Sequence, residues 1–293
     1  MDRKHVSLRI NSTFYDMFGE YLLFIREVYP EVREICLKHG IDVSYEDVAF
    51  SVPEEAFTRR IILQDLRCID ADRTIFICFR GQKLGWRPCP NDIDGLTLDE
   101  YPELVDFIGN VSITELAIMH ALTPFDKCID GKLTELPPVK HALFYFRNPG
   151  YLNGIDNSQI THYINQSNGM DKEVMDMEIA KAKDLIYETK QEVDEDADNR
   201  HCINIRQYDA RWDSGLDIEA MMLDYTMEYE KIYKESLDYF VGIHTQYLPD
   251  EKRGSLTDFT FEGSPLKDAL VEDIINALKM EFPENFGIDF ILK

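Results

Sequence analysis

Arg73-Thr74-Ile75-Phe76-Ile77-Cys78-Phe79-Arg80-Gly81 decides how the rest of the chain is read. Six uncharged, mostly β-favouring residues stand in a row, fenced by arginines and ended by glycine. Such a run reads as a strand buried on both faces. Strands of that kind belong to parallel sheets covered by helices, where no solvent face imposes alternation. The ligand crevice of such a sheet opens where its strands end, here at Arg80 and Gly81.

Working outward, His5–Ile10 reads as a first strand and the polar Asn11-Ser12-Thr13 as the loop after it. A helix follows from about Tyr15 to His39, broken or restarted at Pro30 and capped by Gly40. Ile41–Tyr45 alternates as a half-exposed edge strand. Ser51 and Glu54 fit a capping box opening a helix that buries Phe57, Ile62, Leu66 and Ile69. Beyond the central strand, Gly81–Asn110 reads as a long loop, of a length that is often functional. Its Asn91-Asp92-Ile93-Asp94-Gly95 fails as a calcium loop, because Pro90 and Tyr101 would fill the end ligand positions, and reads as an Asp-Gly turn. Ser112–Leu122 is a helix and Lys140–Phe146 a fourth strand. Asp171–Gln191 is a helix followed by an acidic, solvated loop at Glu192–Asp198. Cys202–Ile205 opens a fifth strand.

Strand and helix repeated five times call for a right-handed α/β unit. The expected fold is a doubly wound, flavodoxin-like parallel sheet of five strands in the order 2-1-3-4-5. The α/β domain is expected over residues 1–215 and a helical C-terminal extension over 216–293. Helices are read there at Leu216–Phe240 and, after Ser264-Pro265, along the stripe Leu266, Leu270, Ile274 and Leu278.

Composition bounds the function. At 293 residues with 44% hydrophobic and 12% aromatic content, the chain can build a sizeable core. A formal charge of −24 and the lack of a dense basic run argue against direct nucleic-acid binding. Six scattered cysteines without a C-x-x-C pair suit a reduced, cytoplasmic setting. Neither a signal peptide nor an apolar run of membrane-spanning length is read. The first strand lacks a G-x-G-x-x-G turn, and no P-loop, zinc spacing or G-x-S-x-G elbow occurs, so no metal site is expected.

What remains is a constellation at the switch point between strands 1 and 3. Its walls are Asn11–Asp16, Arg80–Trp86 and the helix start Ser112-Ile113-Thr114-Glu115. Glu115 is the natural acid there, favoured in its ionised form near a helix N-terminus. A fixed carboxylate at that place stabilises positive charge developing on a ribose, or bonds its hydroxyls. Ser112-x-x-Glu115 is equally a capping box, which by itself accounts for both residues.

Several segments resemble one family. Asn11-Ser12-Thr13-Phe14-Tyr15-Asp16-Met17-Phe18-Gly19-Glu20 resembles the S-S-T-F-x-D-M-x-x-E opening of a TIR-like domain of NACHT- and TPR-containing STAND proteins, the telomerase-associated-protein and nephrocystin-like family. In order follow Tyr29-Pro30-Glu31-Val32-Arg33, Gly40-Ile41-Asp42, Ile69-Asp70, Arg73, Gly85-Trp86, Ser112-Ile113-Thr114-Glu115-Leu116 and Phe144–Pro149. The resemblance spans about residues 5–215. It departs at Asp47–Val52, which stands for the family's D-L-R-W-G-V, and at Arg80–Trp86, which lacks a glutamate.

The resemblance implies a TIR-type fold and, for Glu115, the place of the glutamate that acts in cleaving NAD at its nicotinamide–ribose bond. NAD is then the substrate and no cofactor is required. Ser12 and Thr13 would bind polar groups of the nucleotide. Phe14, Arg80 and Gly81 would complete that lining, with Phe50 and Trp86 as apolar or stacking walls. The resemblance further implies homo-oligomerisation on activation, a role in defence or innate immunity, and an NTPase or sensor region lying beyond residue 293. The alternative is a non-catalytic module that self-associates or holds a nucleotide.

Overall fold

The computed structural model describes residues 4–13, 16–46, 54–71, 73–155, 157, 160–165, 172–196, 201–212, 259–260 and 266–287. Five parallel strands form the central sheet: β1 (Lys4–Ser12), β2 (Ile41–Glu46), β3 (Thr74–Arg80), β6 (His141–Arg147) and β7 (Cys202–Tyr208). Their order is β2-β1-β3-β6-β7, the expected 2-1-3-4-5 arrangement counted within the sheet. Every residue of β3 is buried, as the unbroken apolar run requires. On β2, Ile41, Val43 and Tyr45 are buried while Asp42 and Ser44 are half-buried, the alternation of an edge strand.

β1 is followed by α1 (Phe18–Leu23), a π-helical turn (Phe24–Val28) and α2 (Tyr29–Lys38). Pro30 accounts for the turn. It lacks an N–H, its ring would strike the carbonyl four residues back, and a wider turn just before it accommodates both. Gly40, at φ +74°, ends the helix in the left-handed conformation that a glycine adopts without cost.

Two helical layers cover the sheet. On one face α1, α2 and α7 (Leu266–Glu281) share a core with the inward side chains of β1, β3 and β6, including Leu8, Ile77, Phe79 and Leu143. The expected α7 stripe of Leu266, Leu270, Ile274 and Leu278 is buried in that core. On the other face lie α3 (Glu54–Ile69), α5 (Ile113–Leu122) and α6 (Lys172–Glu195). Phe76 and Phe144 pack there against Ala117, Ile118 and Ile186. The expected helix at 216–240, and Phe14 and Phe50, lie outside the described residues.

Four segments differ from the sequence reading, the first being β1, which continues through Asn11 and Ser12, expected in the loop, because both pair with β3. The stretch 81–110 contains α4 (Gly95–Glu100) between 3-10 turns at Pro90–Asp92 and Pro102–Asp106. Asp94 is the cap of α4 rather than part of an isolated turn, its carboxylate accepting from the Thr97 amide at 2.9 Å. Between α5 and β6 stands an antiparallel hairpin, β4 (Phe125–Ile129) and β5 (Lys132–Leu136). Its turn carries Asp130 at φ 51° and Gly131 at φ 75°. The acidic residues Glu192–Glu195 continue α6, where Lys190 pairs with Asp194 one turn on, at 2.9 Å.

Candidate functional site

Neighbours β1 and β3 run parallel with Ser12 opposite Phe79, and β3 continues on its other side into β6 with Arg80 opposite Phe146. Sheet growth therefore reverses between β1 and β3, and the carboxyl ends of the strands meet there. The residues expected at this edge fall into an outer and an inner group.

The outer group surrounds the start of α5. Ser112 is its cap, its hydroxyl accepting from the Glu115 amide at 3.3 Å. The reciprocal half of a capping box is absent, because the Ser112 amide donates to Glu178 of α6 at 2.7 Å. Glu115 thus caps nothing with its side chain. Its carboxylate pairs instead with Arg80, and both side chains are 2% exposed. β1 reaches the same place, the Asn11 side chain donating to the Thr114 carbonyl at 3.1 Å. Gly85 lies so close to α5 that a Cβ would stand 2.4 Å from Thr114 Oγ1. Trp86 follows, its carbonyl accepting from the Ile113 amide at 2.9 Å and its side chain 45% exposed.

The alternation of β3 explains the pairing. Phe76, Cys78 and Arg80 all point to the face that α5 covers, so the last of them meets the first turn of that helix. Burial raises the pKa of Glu115, and Glu178 adds to the rise, while the Arg80 guanidinium opposes it. Glu115 Oε2 and Arg80 Nη1 have no hydrogen-bond partner among the described residues, so each group retains capacity for a polar ligand.

The inner group lies on the opposite face. Arg147, at the end of β6, donates to both carboxylate oxygens of Glu20 at 3.0 and 3.3 Å and to the Asp16 carbonyl at 2.6 Å. The Tyr208 hydroxyl donates to the same Glu20 carboxylate at 2.7 Å. Gln82 joins this group, donating to the Arg147 carbonyl at 3.0 Å and accepting from Tyr151 at 2.6 Å. Asp16 is fully buried, and burial pushes its carboxyl up to about 6 against the pull of Arg147, Thr13 and Lys83. Gly81 makes room for it, since a Cβ there would stand 2.8 Å from Asp16 Oδ2.

The structure therefore places Ser12, Thr13, Arg80, Gly81 and Glu115 at one edge of the sheet, with Ser12 half-buried and Thr13 buried. Trp86 is on the rim above the α5 start. Reading the sequence did not reveal that Arg80 is the partner of Glu115, or that Glu20, Arg147 and Tyr208 form a second buried network. A signal existed in each case. Arg80 and Arg147 are cations at the end of apolar strand runs, and a buried cation needs a buried acid.

Comparisons with known proteins complete the description. The chain is similar to telomerase protein component 1 of Rattus norvegicus, 27% identical over 167 residues, which are 56% of this chain. To the protein of the same name from Mus musculus it is 24% identical over 212 residues, 71% of this chain. To a TPR repeat-containing protein of Dictyostelium discoideum it is 23% identical over 204 residues, 65% of this chain. The matches span 6%, 7% and 11% of those proteins' own lengths. No protein-family profile matches the chain, and no solved structure matches it.

Proposed function

We propose that this chain is a TIR-like effector domain of a longer, STAND-type cytoplasmic protein, that it cleaves NAD between nicotinamide and ribose when copies assemble, and that Arg80 holds Glu115 inactive until then. The observation that carries this reading is the position of Glu115. The carboxylate stands at the switch point of a 2-1-3-4-5 parallel sheet, enclosed with Arg80, and Oε2 is unbonded among the described residues. Similarity to small parts of large proteins supports the domain's belonging to a longer chain.

The chemistry asks little of the protein. The glycosidic C–N bond breaks with its electron pair going to nicotinamide, which leaves neutral. The ribosyl cation then takes the oxygen of water, whose proton passes to solvent. Glu115, freed from Arg80, bonds the ribose hydroxyls and stabilises the cation; Ser12 and Thr13 hold polar groups of the nucleotide and Trp86 stacks at the rim. Opening must exchange the Arg80 partner for another, because a carboxylate left alone in a buried site costs several kcal/mol.

Nicotinamide release by the chain fused to an oligomerising coiled coil tests the proposal. The wild type is expected to release nicotinamide, and Glu115→Gln to lose roughly 100-fold or more of the rate while keeping its circular dichroism spectrum. An oligomer that leaves NAD intact overturns the reading. The closure of Glu115 and Arg80 upon each other, at 2% exposure each, favours a second one, a silent module that self-associates. In that case the oligomer forms, NAD survives and Glu115→Gln changes nothing but stability.

A further inference from the structure

At the opposite, amino-terminal edge of the sheet lies a cleft of about 230 Å³ that shares no residue with the site above. Its floor is the start of β1, β3 and β6 at Val6, Thr74 and His141. One wall is the end of α7, at Leu278 and Glu281, and another is the strap Pro137-Pro138-Val139 that joins the hairpin to β6. We propose that this cleft binds a small primary ammonium ion carrying an apolar body.

Size is the first reason. The volume falls below the roughly 300–1,000 Å³ of sites for drug-sized ligands, so the occupant is small. Apolar lining from Leu136, Leu278 and Phe125 asks for a hydrocarbon portion.

Unmatched acceptors are the second. His120 and His141 line the cleft and are each 3% exposed. His120 is held through Nε2 by Asp70 at 2.6 Å. Burial works against ionised Asp70, but hydrogen bonds from His120, Tyr101 and Lys127 outweigh it and keep its pKa below the usual value. The Nε2 proton therefore points to Asp70 and leaves Nδ1 as an acceptor in the neutral ring. Nδ1 has no hydrogen-bond partner among the described residues, and neither ring nitrogen of His141 has one. Burial lowers the pKa of His141 and so favours its neutral form, which offers one acceptor. Its Nε2 stands 3.6 Å from Glu281 Oε2, too far to bond. Among the described residues the Glu281 carboxylate accepts hydrogen bonds from Lys140, at 3.3 and 3.4 Å.

The field is the third reason. α3 ends at Ile69 and α7 at Glu281, while His120 lies in the last turn of α5; all three residues line the cleft. Helix carboxyl ends carry partial negative charge and favour a cation. Of the two lining cations, Lys140 is engaged by Glu281 and Arg73 lies over the Phe282 ring at 5.4 Å. A metal ion does not fit, since no three His, Cys, Asp or Glu side chains converge as a ligand group among the described residues. An ammonium ion asks for less: His141 Nε2 and Glu281 Oε2, 3.6 Å apart, are near enough for two of its three donors, and His120 Nδ1 is a further acceptor lining the cleft.

Titrating the full chain with cyclohexylmethylamine, while following the histidine ring protons by NMR, tests this. Saturable shifts of His120 and His141 are expected. Cyclohexylmethanol and cyclohexanecarboxylate should bind at least roughly tenfold more weakly. Ala71→Trp, at an exposed lining position, should block the response, and Glu281→Gln should weaken it by about tenfold. Thermal unfolding and the unshifted spectrum of each variant report whether it folds. Absence of saturation in the millimolar range, equal or tighter binding of the carboxylate, or an undiminished response in both folded variants overturns the proposal.

Discussion

Buried charge is concentrated in few residues, and each sits where a strand meets a helix. Arg9 on β1 pairs with Asp65 of α3, Arg80 on β3 with Glu115 of α5, and Arg147 on β6 with Glu20 of α1. Removing one partner of such a pair strands the other charge and costs about 3–5 kcal/mol. Asp16 is different, because burial outweighs the charges that favour its ionised form. Its carboxyl titrates near 6 in the fold against an ordinary 3.8, so between those values the native state holds a proton that the unfolded chain has lost. Stability then declines as pH rises through that window, and the loss is complete above about 6. The rise from 3.8 to about 6 corresponds to about 3 kcal/mol as an upper bound. Asp16→Asn is therefore expected to stabilise the protein at pH 8, by up to that amount, and to have little effect near pH 4. Urea denaturation at the two pH values measures it, and an equal effect at both would remove Asp16 from this role.

Among the elements, α5 does most to shape the candidate site. Its eight buried residues give it no solvent face of ordinary width, which is why apolar periodicity says little about its orientation. Close approach of Gly85 fixes where it starts. Gly85→Ala would set a methyl 2.4 Å from Thr114 Oγ1 and 3.1 Å from Thr114 Cβ. Thr114 is β-branched and buried, so it cannot swing aside. The substitution is expected to destabilise by about 1–3 kcal/mol, seen as a lower midpoint at unchanged m-value. A neutral result would mean that the loop before α5 yields easily and does not hold the helix in place.

For the molecule as a whole, 55 acidic against 31 basic residues leave a surplus of negative charge on the surface. Self-repulsion in such a chain weakens the compact state and is screened over a Debye length of about 8 Å at physiological salt. Raising sodium chloride from low to physiological concentration is expected to raise the melting temperature by a few degrees. The buried pairs are screened far less and do not offset this. A falling melting temperature would mean that exposed ion pairs such as Arg67–Glu100 outweigh the repulsion.

Sheet order was legible in the chain. The unbroken apolar run of β3, the alternation of β2 and the spacing of helices between strands leave few ways to wind a parallel sheet, and the observed order is the expected one. The hairpin Phe125–Leu136 was not legible, since its five-residue strands are mostly half-exposed or exposed and carry little apolar signal. Glu115 was legible as an acid at the right edge, but its partner was not. Spacing along the chain cannot tell a helix cap from an ion pair with a strand 35 residues earlier. That choice depends on which face of β3 the helix covers, which packing of the two layers decides. The histidine nitrogens of the amino-terminal cleft that have no hydrogen-bond partner among the described residues belong to α5 and β6, brought together by the same packing, because burial and the loss of water acquire meaning for a side chain only once its neighbours are in place.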